Sequence, residues 1–469
     1  MQTSLVRLAA AALVLCGLVL GTAGPARAQG LYYKEIRHED RIYVFNNAAN
    51  AERFEKTKEM GVGITRPGVG PNGETVVGDN ERALQLFFFK YGISEPVPEP
   101  TPPTMRLEWR DGKTRITTDN AYLEISNRVQ VRYTHEDFET PVTLPGNVTI
   151  DDRGSFRIRR AKFKLEGWFW KQNNLAYEVQ LNWPGVTTSN NPGAVLEDAL
   201  IAWDPAGKGK FRIVAGQFKV PFGLQELTSS GSQSFVDRSI VSNEYARGRD
   251  IGVAVQGALW GNRIEYRGGV FNGAGLTRSI NDNDRFQYNA RVMWQPNGSQ
   301  NLASRGWVSN PIYSEGDFES TTVPIYAVAF NYEHNDFTAT TTGNDLKSEV
   351  FSVDGIFKFK GFTGTGAYYW RERDPETGAR YDADGWYAQA GQMLNARRTW
   401  EAAFRYAQRE VNSAIANDDI TEWRGAVSYY YRRHSLKLQA DYGEVEVELG
   451  PGRGSNATKE LRVQTQFIF

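Results

Sequence analysis

Residues 121–134 read AYLEISNRVQVRYT, and their alternation decides the fold. Leu123, Ile125, Val129, Val131 and Tyr133 alternate with Glu124, Ser126, Arg128, Gln130 and Arg132. Successive side chains of a strand point to opposite faces, so the segment has one apolar and one polar face. The same period returns where Leu175, Tyr177, Val179, Leu181 and Trp183 alternate with Ala176, Glu178, Gln180 and Asn182. It returns again at Trp400, Ala402, Phe404 and Tyr406 against Glu401, Arg405 and Arg409, and at Trp423, Val427, Tyr429 and Tyr431 against Glu422, Arg424 and Arg432.

Outward from there, sixteen candidate strands run to the end of the chain. They lie near 121–134, 157–169, 174–183, 196–203, 211–219, 250–260, 263–272, 285–295, 325–333, 349–360, 362–373, 385–394, 399–410, 420–432, 435–443 and 460–469. A strand that crosses a membrane needs about 9–11 residues. Connections after even-numbered strands are tight, as at Lys171-Gln172-Asn173, Gly261-Asn262, Gly361 and Arg433-His434, whereas those after odd-numbered strands are longer. Short turns on one side and long loops on the other are the pattern of an outer-membrane barrel. The connection 296–324 breaks this rule, because it should be short and is not. Trp168, Trp170, Trp183, Trp203, Trp260, Trp294, Trp370, Trp386 and Trp400 fall at or near expected strand ends. Indole favours the membrane–water interface, so this placement predicts aromatic girdles. The final stretch LRVQTQFIF (461–469) sets Leu461, Val463, Phe467 and Phe469 on one face and is similar to the terminal targeting strand of bacterial barrels. The expected fold is all-β, a 16-stranded antiparallel transmembrane barrel over 105–469.

Composition agrees. Of 469 residues, 40% are hydrophobic and 13% aromatic, with 46 glycines and a mean hydropathy of −0.51, which excludes a bundle of membrane helices. Twelve Trp, 22 Tyr and 25 Phe supply enough apolar area to exclude a disordered chain. A net charge of −1 argues against a nucleic-acid partner. Residues 1–28 carry Arg7, an apolar stretch Leu8–Leu20 and Ala26-Arg27-Ala28, which reads as a signal peptide cut before Gln29. Cleavage removes two basic residues and the sole cysteine, Cys16, leaving 52 basic against 55 acidic groups, a net of −3. The mature chain then has no disulfide or thiol chemistry.

Residues 29–94 read differently, as a small α+β module. Arg41–Phe45 and Thr75–Val77 read as strands, Asn47–Met60 as a helix capped by Asn47, and Asn80–Lys90 as a second helix. The glycine-rich GVGITRPGVGPNGET between its halves lacks the spacing of a phosphate loop and reads as a surface loop. Five prolines in EPVPEPTPP mark a linker over 95–104.

By strand parity the barrel interior is basic. Seventeen positions, from Arg128, Arg132, Arg160, Lys162 and Lys164 through Arg405, Arg424, Arg432 and Arg462, face seven acids such as Glu124, Glu178, Asp354, Glu422 and Asp441. Rings of arginine and lysine favour anions. Alternatively these charges pair across strands as a polar wall.

Six ordered segments then carry a resemblance: FRIRRAKFKLEG (156–167), LEDALIAW (196–203), VAGQFKVPFG (214–223), LTSSGSQSFVDRS (227–239), GRDIGVAVQG (248–257) and GVFNG (269–273). Together they resemble the phosphate-selective porin O and P family over about residues 115–469. The resemblance implies a homotrimeric porin in the bacterial outer membrane, contacting its lipid, with the third long loop (220–248) folded into the channel. It implies passage of small anions or polar solutes, phosphate among them, past basic wall residues. Arg159 and Arg160 match the family's arginine pair, Asp198 an acid near it, and Lys219 lies in the matched GQFK. Arg128, Arg132, Lys162 and Lys164 join them as expected pore-lining residues. The chain departs from the family in lacking dense arginine runs beyond 157–160, and its loop sets Glu226, Asp237 and Glu244 against Arg238 and Arg247. A broad anion channel is therefore expected before a phosphate-specific one.

No catalytic residue, cofactor or metal is expected. The four histidines, His38, His135, His334 and His434, read as module surface, loop or turn, and His434-Ser435 is poor triad geometry. Asn281–Asp284 has too few acids for a dedicated calcium loop. The alternative to a porin is a structural or adhesive barrel with a plugged lumen. The module is expected in the periplasm, as a plug, a cell-wall contact or an assembly aid.

Overall fold

The computed structural model describes residues 32–94, 105–110, 112–144, 148–170, 174–183, 194–206, 209–276, 280–281, 283–296, 311–338, 345–413 and 415–469. The expected signal peptide, the whole of the proline-rich linker and Asp282 of the acidic loop lie outside them. The chain divides into two compact units at Pro102/Pro103.

In the first unit, β1 (Lys34–His38), β2 (Arg41–Phe45), β3 (Ile64–Arg66) and β4 (Thr75–Gly78) form a sheet of order β1-β2-β4-β3. Sequence reading missed β1 and β3, which are short and polar. Glu39 and Asp40, both with φ near +50°, make the tight turn that folds β1 onto β2. Helix α1 (Ala48–Thr57) starts at Asn47, whose side chain accepts from Ala49 N at 2.9 Å, and α2 (Glu81–Tyr91) starts at Asn80, which accepts from Ala83 N at 3.1 Å. Strand alternation gives each helix its own face of the sheet. Ile42, Val44 and Val76 bury Leu84, Phe87 and Phe88 of α2, while Tyr43 and Phe45 pack on Phe54 of α1. Glu35 accepts from Lys90 Nζ at 2.8 Å, Tyr91 Oη at 2.9 Å and Tyr33 Oη. Burial pushes its carboxyl up, but these donors outweigh burial and hold it below the usual carboxylate range. A depressed pKa stabilises the fold at neutral pH, and that contribution is lost as pH falls through the folded value. The melting temperature of an isolated 29–94 fragment should therefore drop below about pH 4. Glu35→Gln should flatten that profile.

The second unit is the barrel, and all sixteen candidate strands are present. They are β7 (Ala121–Leu144), β8 (Val148–Phe169), β9 (Leu175–Asn182), β10 (Val195–Trp203), β11 (Arg212–Lys219), β12 (Arg249–Leu259), β13 (Ile264–Phe271) and β14 (Gln287–Trp294). The second half comprises β15 (Ile325–Thr338), β16 (Asp345–Phe359), β17 (Phe362–Pro375), β18 (Tyr381–Met393), β19 (Trp400–Arg409), β20 (Ile420–Arg432), β21 (Leu436–Glu448) and β22 (Ser455–Ile468). Each pairs antiparallel with the next, and β22 closes the cylinder on β7, from Thr458 opposite Phe138 to Ile468 opposite Arg128. Closure leaves no unpaired edge for lipid to meet. A hairpin unseen in the sequence, β5 (Arg106–Arg110) and β6 (Lys113–Thr117), pairs with the start of β7 and extends the sheet there.

Lys360 and Gly361, with φ of 50° and 86°, join β16 to β17 in a two-residue turn that demands left-handed backbone at both positions. Two aromatic belts ring the outside. Trp168, Trp203, Trp260, Trp294, Trp400 and Tyr429 lie toward the short-turn end, and Tyr368, Trp370, Trp386, Tyr406, Trp423 and Tyr442 toward the long-loop end. Trp370 and Trp386 are thus well inside strands rather than at their ends, because β17 and β18 continue beyond the belt. Trp423 and Tyr429 are six residues apart on β20, about 20 Å along the strand, which suits an apolar band about 25 Å tall. Phe404, 54% exposed, stands between the belts. Phe404→Arg should destabilise the folded barrel by about 2–4 kcal/mol in vesicle-based unfolding titrations.

Candidate functional site

Strict alternation would send one of two adjacent arginines into lipid. A bulge prevents that: Gln130 pairs with Arg160 but Val131 pairs with Ile158, leaving Arg159 as the extra residue of β8. Arg159 and Arg160 both reach inward, their Nη2 atoms 3.5 and 3.7 Å from Asp237. A second bulge on β10, between Leu196 and Asp198, turns both Glu197 and Asp198 into the lumen. A third, between Tyr430 and Arg432, ends the parity of β20. Arg432 is exposed there, contrary to its expected lumen position.

The third long loop, 220–248, folds into the barrel as the resemblance implied. It carries α3 (Leu224–Leu227) and α4 (Ile240–Tyr245), and its ends pack Val220, Phe222, Val241 and Tyr245 among Leu200, Val214, Val350 and Tyr369 of the wall. Irregular backbone taken inside must find acceptors for its N–H groups. Wall side chains supply them: Asn331 accepts from Gly223 N (3.2 Å), Asp354 from Leu224 N (3.0 Å), Asp441 from Val236 N (3.1 Å) and Glu422 from Ile240 N (3.0 Å). Several acids that parity counted against the basic lining thus hold the loop.

The loop's own acids face wall cations in turn. Glu244 lies 2.8 Å from Arg371, 3.6 Å from Arg409 and 3.8 Å from Arg373. Asp237 lies 2.5 Å from Arg132 and Glu226 lies 3.9 Å from Lys219, while Arg238 of the loop itself pairs with Glu226 at 2.9 Å.

The connection that broke the turn rule has a physical account: residues 311–321 fold back into the short-turn end. Ile312 packs with Leu224, Met293, Ala327 and Ile356. Tyr313 donates to Glu265 at 2.5 Å beneath the Arg267 guanidinium. Lys358 Nζ donates to the Ser314 and Gly316 carbonyls, and Asp317 accepts from Gly361 N at 2.7 Å. Phe318 stands edge-on to Tyr430 and His434, and its carbonyl accepts from Arg398. Glu315 N donates to Ser232 O at 2.8 Å and the Glu315 carboxylate accepts from Ser234 N at 2.7 Å, so the segment also braces the loop. His434 sits at its expected turn but is buried beneath this segment, with Nε2 2.9 Å from Glu315 O.

Loop and segment together crowd the β13–β21 side. Against β7–β13 they bound a cavity of about 550 Å³. Seven of the eight expected lining residues meet there: Arg128, Arg159, Arg160, Lys162, Lys164, Asp198 and Lys219. Arg132 is fully buried behind the loop, bonded to Asp237, the Val236 carbonyl and Gln464. Lys162 pairs with Glu197, and Lys164 with Glu166 and Glu178. Asp198 accepts two bonds from Arg249, at 2.9 and 2.8 Å. Lys219 donates to the Glu226, Leu227 and Thr228 carbonyls and so fastens the loop. Arg128 alone of the seven has only hydroxyl partners among the described residues, Ser229 at 3.0 Å and Ser230 at 3.2 Å. The buried Nε–H groups of Arg128 and Arg159 have no acceptor among the described residues. Strand parity had placed Arg267 in the lumen and the resemblance had placed Arg238 on the inward loop, but sequence reasoning missed Arg249, Tyr313 and Ser314 of the lining. Arg238 and Arg249 sat in quoted motifs, whereas nothing in the sequence marked Tyr313.

Comparison with known proteins fits this construction. A search of curated proteins finds no match. Among solved structures, an anion-selective porin from Comamonas acidovorans superposes with a TM-score of 0.52 at 9% identity, covering 74% of this chain and 100% of that one. The outer-membrane channel DcaP of Acinetobacter baumannii gives 0.52 at 10% identity, covering 75% and 98%. At such identity these neighbours support the porin fold alone. The family model described as phosphate-selective porin O and P matches residues 128–469, which include all three bulges, the inward loop and the closing strand. An outer-membrane porin channel is thus the architecture, and the chain belongs to the phosphate-selective porin O and P family.

Proposed function

We propose that the barrel conducts small anions along the β7–β13 wall, with phosphate-type oxyanions the favoured class. One observation carries this reading: among the described residues nine cationic side chains and three acidic ones line the cavity, and the Nε–H groups of Arg128 and Arg159 find no acceptor. Guanidinium groups present rigid donor forks to oxyanions, and the Ser229 and Ser230 hydroxyls beside Arg128 add further polar contacts. Conduction needs an attraction strong enough to admit the ion and weak enough to release it. Paired cations such as Lys162 and Arg249 moderate that attraction.

The test is single-channel recording of purified protein in planar bilayers under a potassium chloride gradient, with phosphate then added. Stepwise current with an anion-directed reversal potential, and block by phosphate, is the expected result. A cation-directed potential would overturn the reading. Folded protein that passes no current would favour a structural barrel plugged by the loop and by residues 311–321. The broader proposal includes a homotrimer, as the family resemblance implies, and the 32–94 module on the periplasmic side. Deleting that module should leave conductance unchanged, whereas a large rise would make it a plug.

A further inference from the structure

The geometry points to Asp237 as a tethered counter-anion that sets how tightly the channel holds a passing anion. The inference rests on the anion-channel reading and goes beyond it, by naming the residue that tunes affinity. Arg132, Arg159 and Arg160 come from two adjacent strands and converge on the Asp237 carboxylate at 2.5, 3.5 and 3.7 Å. Among the described residues it is the only carboxylate that any of the three pairs with. Arg462 lies 3.8 Å away, but it is held mainly by Asp441, with Nε at 2.7 Å.

Three guanidinium groups against one carboxylate leave a formal surplus of two positive charges beside the cavity. Arg159 and Arg160 line that cavity, so an anion inside it competes with Asp237 for the same donors. Asp237 cannot leave, because Arg405 Nη1 holds its carbonyl at 2.9 Å and Asp441 holds Val236 N at 3.1 Å. It therefore acts as a fixed negative group. With it, a multivalent oxyanion meets arginines already part-neutralised and passes on. Without it, the same oxyanion would meet Arg159 and Arg160 unneutralised, with the buried Arg132 charge behind them, and lodge.

Two near-isosteric substitutions test this in opposite directions. Asp237→Asn removes one negative charge and keeps an oxygen acceptor for Arg132. Gln130→Glu adds one, because Gln130 Oε1 already accepts from Arg160 Nη1 at 2.9 Å. In planar bilayers, phosphate should block Asp237→Asn at concentrations lower by about tenfold or more than wild type, and Gln130→Glu at concentrations higher by a similar factor. Open-channel conductance in chloride should change far less. Asp237→Glu, which retains the charge, should behave as wild type. An unchanged block in both variants would overturn the proposal. So would a rise in conductance with weaker block in Asp237→Asn, because that would make Asp237 only a fastener of the loop. Should Asp237→Asn not assemble, Gln130→Glu alone decides, since it gives up the bond from Gln130 Nε2 to Gln466 but leaves Asp237 and its Arg132 contact in place. The wild-type reversal potential judges anion conduction separately, so the two readings fail by different measurements.

Discussion

Replacing residues 296–323 with a two-residue Asn-Gly turn should raise single-channel conductance by about twofold or more and weaken ion selectivity. The expectation follows from the span of residues 311–321, which reach from Glu265 on β13 to His434 after β20 and lie across the short-turn end. The neighbouring β16–β17 turn is closed by Lys360 and Gly361 alone, so the barrel needs no long connection between Trp294 and Ile325. Excision would also remove the Glu315 contacts with Ser232 and Ser234, loosening the loop that narrows the lumen. Water would then solvate Lys358, whose ammonium now meets the Ser314 and Gly316 carbonyls. The check is conductance in potassium chloride, together with sugar entry in liposome swelling. Unchanged values in a folded variant would show that the segment lies outside the conduction path.

Much of this architecture was legible because the period of a strand is two and its faces meet different solvents. Alternation at Leu123–Tyr133 and Leu175–Trp183 is imposed by lipid on one side and a polar lumen on the other, so every strand could be read locally. The lumen charges were legible for the same reason, until a bulge changed the count. Arg159, Glu197 and the residues around Tyr430 are where parity failed, because an extra residue costs the sequence nothing visible. The inward course of 220–248 came from resemblance to a family, not from its composition. Residues 311–321 had neither guide: Ile312, Tyr313 and Phe318 are unremarkable in a chain, and only their burial against Leu224, Glu265 and His434 reveals a function. The pairing of Lys219 with three backbone carbonyls was equally invisible, since a lysine on a porin wall reads first as a free charge.

That last contrast separates two kinds of lumen cation, and charge reversal should tell them apart. Arg159→Glu/Arg160→Glu should drive the reversal potential in a potassium chloride gradient from the anion side to the cation side, a change in permeability ratio of about tenfold or more. These groups line the cavity, share only Asp237 as an acid among the described residues, and lie on β8, whose pairing with β7 resumes on both sides of the bulge. Replacing them inverts the local field and gives up the two longer contacts to Asp237, while Arg132 keeps the shortest one on the loop. Lys219→Gln should act differently. Its ammonium gathers the Glu226, Leu227 and Thr228 carbonyls, which an amide cannot serve with two donors, so the loop rather than the field would respond. The expected signature is noisier, higher conductance with a modest selectivity change. A full reversal by Lys219→Gln with quiet, unchanged conductance would place the selective charge on Lys219 and demote the arginine pair. If the double arginine variant kept its anion-side potential, Arg128 beside Ser229 and Ser230 would become the residue to replace next, since its guanidinium has no acidic partner among the described residues.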